Sequence, residues 1–350
     1  CLDRPIEIGG AGRARGGFLR RLWAPGGGQR SLWGGHELGW SGAPKGTKNG
    51  PVLGPENRIY YLYLLSSLLL ALFVYTRRKK KKSFFSYVFD KRIWLSKSAL
   101  NDYLIFSFNN LFKVLFIGPY LIIGLYIAFY IHEYLIKWFG FPESTLSIGQ
   151  TIILYTIALT VVNDFLSYIV HLCMHKIPIL WEFHKVHHSA TTMNPLTQYR
   201  VHPVELILNN SKAIIGFGLV TGFFDYFSNH ALDTVVFIGA NIFTFLFMFF
   251  GANLRHSHVK LKYPRLIEHI LISPYQHQIH HSRSSEHHNK NLGSKFALWD
   301  WFFGTLIVSK KTTSLRFGIH DREKDYFRFR DLLFKPFLKV FMYFKTSKQE

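Results

Sequence analysis

Residues 151–175, TIILYTIALTVVNDFLSYIVHLCMH, join a long apolar segment directly to two histidines. The apolar part, Thr151 to Val170, has the length and composition of a helix that crosses a membrane. His171 and His175 follow at positions i and i+4, so a continuing helix presents both rings on one face. The stretch therefore predicts a membrane helix with a histidine site at its end.

A second apolar segment, Ile59 to Tyr75, carries no charge and precedes a basic run. As a helix it is about 26 Å long, close to the ~30 Å hydrocarbon core of a bilayer. The basic run Arg77 to Lys82 predicts that the end of this helix faces the cytoplasm. The alternative for this segment is a buried helix of a soluble core.

Further apolar segments complete a multi-pass arrangement. Leu115 to Ile131 is a span broken near its start by Gly118 and Pro119, and residues 206–224 and 235–252 predict a hairpin that turns at 225–233. Polar residues at 209–212, including Lys212, predict that its first arm lies shallow or packs inside the bundle. Alternating the spans places residues 171–205 and 253–350 together in the cytoplasm.

The predicted fold is all-α, a multi-pass membrane helical bundle with a cytoplasmic histidine-rich helical cap. Residues 1–50 hold about half of the 27 glycines and are expected to be a disordered or artefactual extension. Residues 51–150 would supply N-terminal transmembrane helices and a basic loop, and 151–310 the histidine-bearing domain. Residues 311–350 mix aromatic and basic residues, which predicts an interfacial tail, with a soluble packing helix as the alternative.

Composition narrows the classes of protein that remain. The 350 residues are 48% apolar, enough for a large interior, and the formal net charge is +21. Much of that charge flanks apolar runs, as at Arg77 to Lys82, which indicates a membrane protein and argues against nucleic-acid binding. Only Cys1 and Cys173 occur, which excludes a disulfide framework or a cysteine-based zinc module.

Fifteen of the eighteen histidines lie between His171 and His288. Residues 181–189 (WEFHKVHHS) and 277–282 (HQIHHS) each predict a helical turn with three imidazoles on one side. With His171 and His175 these turns supply eight candidate metal ligands: His171, His175, His184, His187, His188, His277, His280 and His281. A zinc site takes about four protein ligands, so eight predict two metals, or one metal and redundant ligands.

Other polar residues could complete the site. His202 and His256 are candidate additional ligands, although a lone histidine can equally be a hydrogen-bonded core residue. His258 is a weaker candidate. Asp164, seven residues before His171 on the same helical face, is expected to accept a hydrogen bond from the free ring nitrogen of His171 or His175; a structural bond to a neighbouring helix is the alternative.

The order of these boxes resembles the membrane fatty acid hydroxylase / sterol desaturase superfamily over roughly residues 150–310. H-x-x-x-H at 171–175 is followed by H-x-x-H-H at 184–188 and at 277–281. The flanks agree with the resemblance: Asp164-Phe165, Arg200-x-His202-Pro203-x-Glu205, Ser273-Pro274, Asn291-Leu-Gly293 and the segment 299–305 (WDWFFGT).

The resemblance implies a di-iron centre held by histidines that uses O₂ and two electrons to hydroxylate or desaturate a lipid. Because the sequence has no haem, flavin or iron–sulfur pattern, the electrons are expected to come from a separate electron-transfer protein or reductase. The substrate, a sterol, fatty acyl chain or related lipid, would enter from the bilayer of a bacterial inner membrane or an endoplasmic reticulum. A zinc-dependent hydrolase and a membrane metal-binding or transport protein are the alternatives.

Overall fold

The computed structural model describes residues 58, 60–78, 83–143, 145–228, 242–309, 315–319 and 326–346. Regular structure in this part of the chain is helical, apart from one isolated bridge between Leu271 and Phe296. The all-α prediction is therefore confirmed. The glycine-rich segment 1–50 and the predicted hairpin turn lie wholly or mostly outside the described residues.

Thirteen α-helices run through the described residues. In chain order they are α1 (Tyr61–Thr76), α2 (Phe84–Val88), α3 (Lys91–Trp94), α4 (Lys97–Phe112), α5 (Ile122–Phe139), α6 (Ile148–Lys176), α7 (Pro178–His188), α8 (Pro203–Ser228), α9 (Ile242–Phe249), α10 (Arg265–Glu268), α11 (Pro274–His280), α12 (Leu298–Phe302) and α13 (Phe329–Thr346). Short π or 3-10 turns lie at Lys113–Ile117, Gly118–Leu121, Pro195–Tyr199, Ala252–Leu254 and Ser285–His287.

Three of the described helices, α5, α6 and α8, are long and apolar enough to cross a membrane. With 29 residues, α6 is about 44 Å long and exceeds the ~30 Å hydrocarbon core. Its surplus turns allow the end that carries His171 and His175 to extend beyond the bilayer. At 16 residues, α1 is apolar but shorter.

The predicted span from Leu115 to Ile131 is displaced in the structure. The chain forms a π turn at Lys113–Ile117 and a 3-10 turn at Gly118–Leu121, and α5 then runs from Ile122 to Phe139. Proline lacks a backbone N–H and therefore favours the first turn of a helix over its interior. The Gly-Pro pair thus marks the start of the span, which lies several residues later than predicted.

Helix α8 packs against both α5 and α6. Gly218 allows close approach to α5, since an added Cβ would lie 2.6 Å from the Cβ of Ile127. Buried polar contacts also join these helices: His132 Nδ1 of α5 lies 2.9 Å from Asp225 Oδ2 of α8. Lys212 of α8 donates from Nζ to Ser167 Oγ of α6.

The turn between α6 and α7 sets the position of the first two histidine boxes. Helix α6 ends at Lys176, and after the single residue Ile177 helix α7 begins with Pro178 at its first position, where a missing N–H costs no hydrogen bond. The two helices therefore pack against each other directly. Their adjacent ends bring His171 and His175 close to His184 and His188.

Helix α13 in the C-terminal region has one packed side and one exposed side. Phe337 contacts Phe183 of α7 with ring centroids 5.2 Å apart, and Leu332 is fully buried. Phe334 and Phe341 instead remain 64% and 70% exposed. The helix thus combines features of the two alternatives drawn from its sequence, a packing helix and an interfacial helix.

Candidate metal centre

Helices α6, α7 and α11 bring all three histidine boxes to one place. Nine imidazoles form two groups, and within each group the potential ligand nitrogens lie within 4.8 Å of one another. The first group is His171, His175, His184, His188 and His280, and the second is His187, His256, His277 and His281. The eight box histidines therefore converge, and His256 joins them from the turn that follows Ala252–Leu254.

The four-histidine group has the spacing of a metal-ligand set. His256 Nε2 lies 3.2 Å from His187 Nε2, 3.1 Å from His281 Nε2 and 3.0 Å from His277 Nε2. Nitrogens bound at about 2.1 Å stand about 3.0 Å apart at octahedral right angles and about 3.4 Å apart in a tetrahedron. The observed separations match that range without rearrangement.

The five-histidine group contains buried nitrogens that need a partner. His171 Nε2 and His184 Nε2 are 3.1 Å apart. Among the described residues, Nε2 of His175, His188 and His280 is buried without any hydrogen-bond partner. Leaving such a group unpaired costs roughly 1–3 kcal/mol, and a metal ion would satisfy all three nitrogens at once. The residues present therefore fit a metal in each group.

Acceptors behind the rings fix which nitrogen faces the centre of each group. His171 Nδ1 lies 2.7 Å from the Leu292 carbonyl, His187 Nδ1 3.1 Å from that of Arg200, and His280 Nδ1 2.9 Å from that of Lys290. Carbonyls only accept, so each ring donates from Nδ1 and keeps the Nε2 lone pair for a metal.

Within the described ranges, Glu205 is the carboxylate that lies behind one of these rings. Its Oε1 lies 3.0 Å from Nδ1 of His184, and both side chains are almost fully buried. A carboxylate in this position orients the imidazole and increases the basicity of its other nitrogen. The sequence placed Glu205 only in a flanking motif, and the contact gives that motif a physical role.

His277 is an exception to this pattern. The Arg255 guanidinium donates from Nη2 to His277 Nδ1 across 2.8 Å, and burial lowers the pKa of Arg255 to about 9. A guanidinium has no acceptor, so the neutral His277 ring carries its proton on Nε2. Metal binding through that nitrogen requires the proton to leave.

Asp164 makes structural hydrogen bonds, as in the alternative given for it, and does not contact a histidine ring. Its carboxylate accepts hydrogen bonds from the backbone of Lys295 and Phe296 and from Trp299 Nε1, at 2.8–3.0 Å. None of these contacts reaches His171 or His175. Asp164 instead fixes residues 295–299, just after the loop whose Leu292 carbonyl holds His171. Asp164 therefore affects the metal centre only through the position of this loop.

Asp300 supports the same loop from the other side. Its Oδ1 accepts from the Leu292 amide at 2.8 Å and its Oδ2 from the Gly293 amide at 2.7 Å. An added Cβ at Gly293 would lie 2.8 Å from Oδ2, so the close contact requires glycine there. The Asn-Leu-Gly and Trp-Asp-Trp segments therefore act together to present one carbonyl to His171.

Asp102 is a buried residue that the sequence did not indicate. It lies in α4, 3.5 Å from Nε of Arg200, and accepts from Thr197 Oγ1 at 2.7 Å. Burial raises the pKa of Asp102 to about 6. Because the Arg200 carbonyl holds His187, Asp102 stabilises the segment behind that ligand. Asn109, seven residues later on the same helical face, is also buried, and this polar stripe is the signal that could have revealed it.

His202, predicted as a ligand, belongs to neither group. Its Nε2 lies 3.1 Å from the Leu333 carbonyl of α13, and its Nδ1 accepts from the Val204 amide at 3.1 Å. Both ring nitrogens are therefore used for packing α13 against the start of α8. His258 also lies outside the groups, with Nε2 2.7 Å from the Tyr87 carbonyl.

Burial keeps the box histidines outside the spans uncharged at neutral pH. It lowers the pKa of His187 to about 4, with a smaller opposing effect from the Arg200 carbonyl. Burial and neighbouring imidazoles also lower the pKa of His188, His256 and His281 well below the usual value. Neutral imidazole is the form that binds metals, so the pocket is prepared for cations.

These contacts define a class of site that can hold two metal ions with imidazole ligands alone. Residues 156–305 match the family model described as Fatty acid hydroxylase. The match covers 150 of the 350 residues, and it confirms the resemblance of this part of the chain to the membrane fatty acid hydroxylase / sterol desaturase superfamily.

Two curated relatives are each similar to about half of this chain. Ornithine lipid hydroxylase OlsE of Rhizobium tropici is 27% identical over 159 residues, covering 45% of this chain and 44% of the relative. Alkylglycerol monooxygenase of Caenorhabditis elegans is 26% identical over 185 residues, covering 51% of this chain and 33% of the relative. The chain thus spans less than half the length of either relative. No solved structure gives a significant match.

Removing one ligand from the four-histidine group should weaken metal binding more than removing an outer partner. We expect His281→Ala to reduce affinity by more than the roughly 10–100-fold typical of outer hydrogen-bond partners, and Glu205→Gln to fall within that range. Metal competition titrations on purified protein measure both. His202→Ala is the matched control and should retain full metal content; loss of metal from His202→Ala alone would contradict the assignment.

The buried histidines also predict acid sensitivity of the metal-free protein. His187 has a pKa of about 4 when folded and about 6.5 when unfolded, so the unfolded chain binds more protons between these values. The contribution of neutral His187 to the free energy of unfolding is fully present above pH 6.5. It is lost as the pH falls towards 4, by at most about 1.4 kcal/mol per pH unit.

Folding raises the pKa of Asp102, so protonation of this residue stabilises the fold as the pH falls and opposes the effect of His187. The effect of His187 is therefore isolated by comparing wild type with His187→Gln, because Asp102 is present in both. We expect the thermal midpoint of metal-free wild type to fall more between pH 6.5 and 4.5 than that of His187→Gln. An equal fall in both proteins would show that His187 is not held neutral by the fold.

Proposed function

We propose that the protein is a membrane-bound di-iron oxidoreductase that hydroxylates or desaturates a lipid with O₂ and electrons from a separate donor. The observation that carries the proposal is the convergence of nine imidazoles into two adjacent groups within the family-matched segment. Two relatives named for lipid hydroxylase and monooxygenase activities support the choice of lipid oxidation over hydrolysis.

Iron is the metal that the ligands and the family together favour. Imidazole suits iron as well as zinc, so residue type alone does not choose between them. Iron held by these histidines would supply the activation of O₂. For a hydroxylation, one oxygen atom enters a C–H bond and the other leaves as water, with two external electrons and two protons.

The chain's own residues would supply position and exclusion of water. Carbonyls of Leu292, Arg200 and Lys290 and the Glu205 carboxylate hold four rings with Nε2 inward. Burial of the box histidines keeps bulk water away from the reacting carbon, which protects reactive species from side reactions. The cofactor carries the difficult chemistry, and the protein fixes the geometry.

The helices would deliver the lipid. Helices α5, α6 and α8 are long and apolar enough to span a bilayer, and α6 carries two box histidines at its end. We place the site on the cytoplasmic side of a bacterial inner membrane or an endoplasmic reticulum, following the basic run after Tyr75. Exposed aromatic residues of α13, such as Phe341, would rest on the same membrane face.

The test is oxidation of lipid by iron-loaded protein with a chemical or enzymatic reductant and O₂. Mass spectrometry should detect a lipid that gains 16 Da or loses 2 Da only when both O₂ and reductant are present, according to the stoichiometry of these oxidations. His280→Ala should abolish turnover, because it removes a ligand that lies beside both His171 and His175.

His258→Ala is the matched control, since His258 lies outside both groups, and it should retain turnover. Product formation without O₂, or full activity of His280→Ala, would refute the oxidase proposal. Hydrolysis by zinc-loaded protein would instead support the zinc alternative.

A further inference from the structure

A cavity of about 210 Å³ opens beside both histidine groups. Its wall includes His171 and His184 of the five-histidine group, together with members of the four-histidine group. Apart from the histidines, most of the residues that line it have polar side chains, with Met174, Val201 and Gly293 as the exceptions. A cavity in this position is where the reacting part of a substrate would sit.

Three cationic side chains and one carboxylate line this cavity: Arg58, Lys212, Arg255 and Glu205. The cations hydrogen-bond to neutral groups. Arg58 Nη1 donates to Gln198 Oε1 at 2.6 Å, Arg255 Nη1 donates to the Ser294 carbonyl at 2.6 Å, and Lys212 Nζ donates to Ser167 Oγ.

The carboxylate does not balance these charges by contact. Glu205 directs Oε1 at His184 Nδ1, and within the described part of the chain no carboxylate oxygen lies within 4.0 Å of the three cationic groups. In addition, Arg255 Nε is buried with no hydrogen-bond partner among the described residues. Counting the described residues alone, the cavity therefore holds an excess of positive charge without a contacting carboxylate.

Such a cavity favours an oxyanion and disfavours a hydrocarbon chain. A buried charge without a partner is costly, and a bound anion offsets that cost through charge-assisted hydrogen bonds. An acyl chain would leave the same cations desolvated and unpaired. Metal ions in the histidine groups would make the cavity more cationic still, which strengthens this preference.

We propose that the cavity binds the oxyanionic headgroup of the lipid, a phosphate or a carboxylate. The carbon that is oxidised then lies within a few bonds of the headgroup, not deep in an acyl chain. Oxidation at this carbon rests on the proposed function, and it consumes O₂, electrons and protons in the same proportions as the hydroxylation described above. Headgroup binding rests on the cavity alone. Lys212 and Arg58 are the specificity-determining residues.

Binding of short-chain lipids to the metal-loaded full-length protein tests whether the cavity binds an oxyanionic headgroup. Dihexanoyl phosphatidic acid should bind more tightly than uncharged dihexanoylglycerol by roughly 10–100-fold, the effect of one or two charge-assisted hydrogen bonds. Hexanoate and inorganic phosphate are the other probes. Equal affinity for the charged and uncharged lipids would overturn the proposal, as would phosphate binding as tight as that of phosphatidic acid.

Variants locate the binding in this cavity. Lys212→Met and Arg58→Gln should each remove most of the preference for phosphatidic acid while the metal content stays unchanged, and Lys212→Arg should retain it. Arg92→Gln is the matched control, because Arg92 is an exposed cation that pairs with Asp90 outside the cavity. An unchanged preference in both cavity variants would overturn the assignment, and the wild-type comparison stands even if one variant does not fold.

The position of oxidation tests the second part separately. Fragmentation of the product should place the new oxygen on a carbon near the headgroup. Oxidation at a mid-chain carbon would overturn the headgroup inference and leave the proposed oxidase function intact. Conversely, tight binding of phosphatidic acid without any turnover would support the cavity assignment and count against the oxidase proposal.

Discussion

The structure depends on one constraint: each buried imidazole needs a partner at both ring nitrogens. Nine histidines are packed so closely that their Nε2 atoms face one another at about 3 Å in several pairs. Lone pairs that face each other repel unless a cation or proton lies between them. The arrangement therefore favours a cation at the centre of each group, with acceptors behind most of the rings and the Arg255 donor behind His277.

The loops outside the helices are organised to supply those acceptors. Asp164 and Asp300 use their carboxylates to hold the backbone of residues 292–296, and that backbone turns the Leu292 carbonyl towards His171. Asp102 acts on a second segment through a side chain, since it lies 3.5 Å from Nε of Arg200, and the Arg200 carbonyl holds His187. Buried carboxylates thus stabilise backbone segments, and the segments orient ligands. The long helices α6 and α8 provide the rigid frame.

Helical spacing was enough to predict most of the centre. The i, i+3 and i+4 positions identified eight histidines that the structure brings together, and the all-α prediction followed from apolar segment lengths. Residues whose partners are distant in sequence could not be assigned this way. His202 bonds to the Leu333 carbonyl and Asp164 to residues 295–299, each more than 100 positions away. Asp102 was missed because its partner Arg200 belongs to a different segment of the chain.

The most direct test of this account is the number and coordination of metal ions in the purified wild-type protein. Elemental analysis combined with X-ray absorption should find about two metal ions per chain, each surrounded mainly by nitrogen at about 2.1 Å. That result would agree with one metal ion in each histidine group, bound by the Nε2 atoms that face its centre. A single metal per chain, or a first shell dominated by oxygen or sulfur, would contradict the central claim.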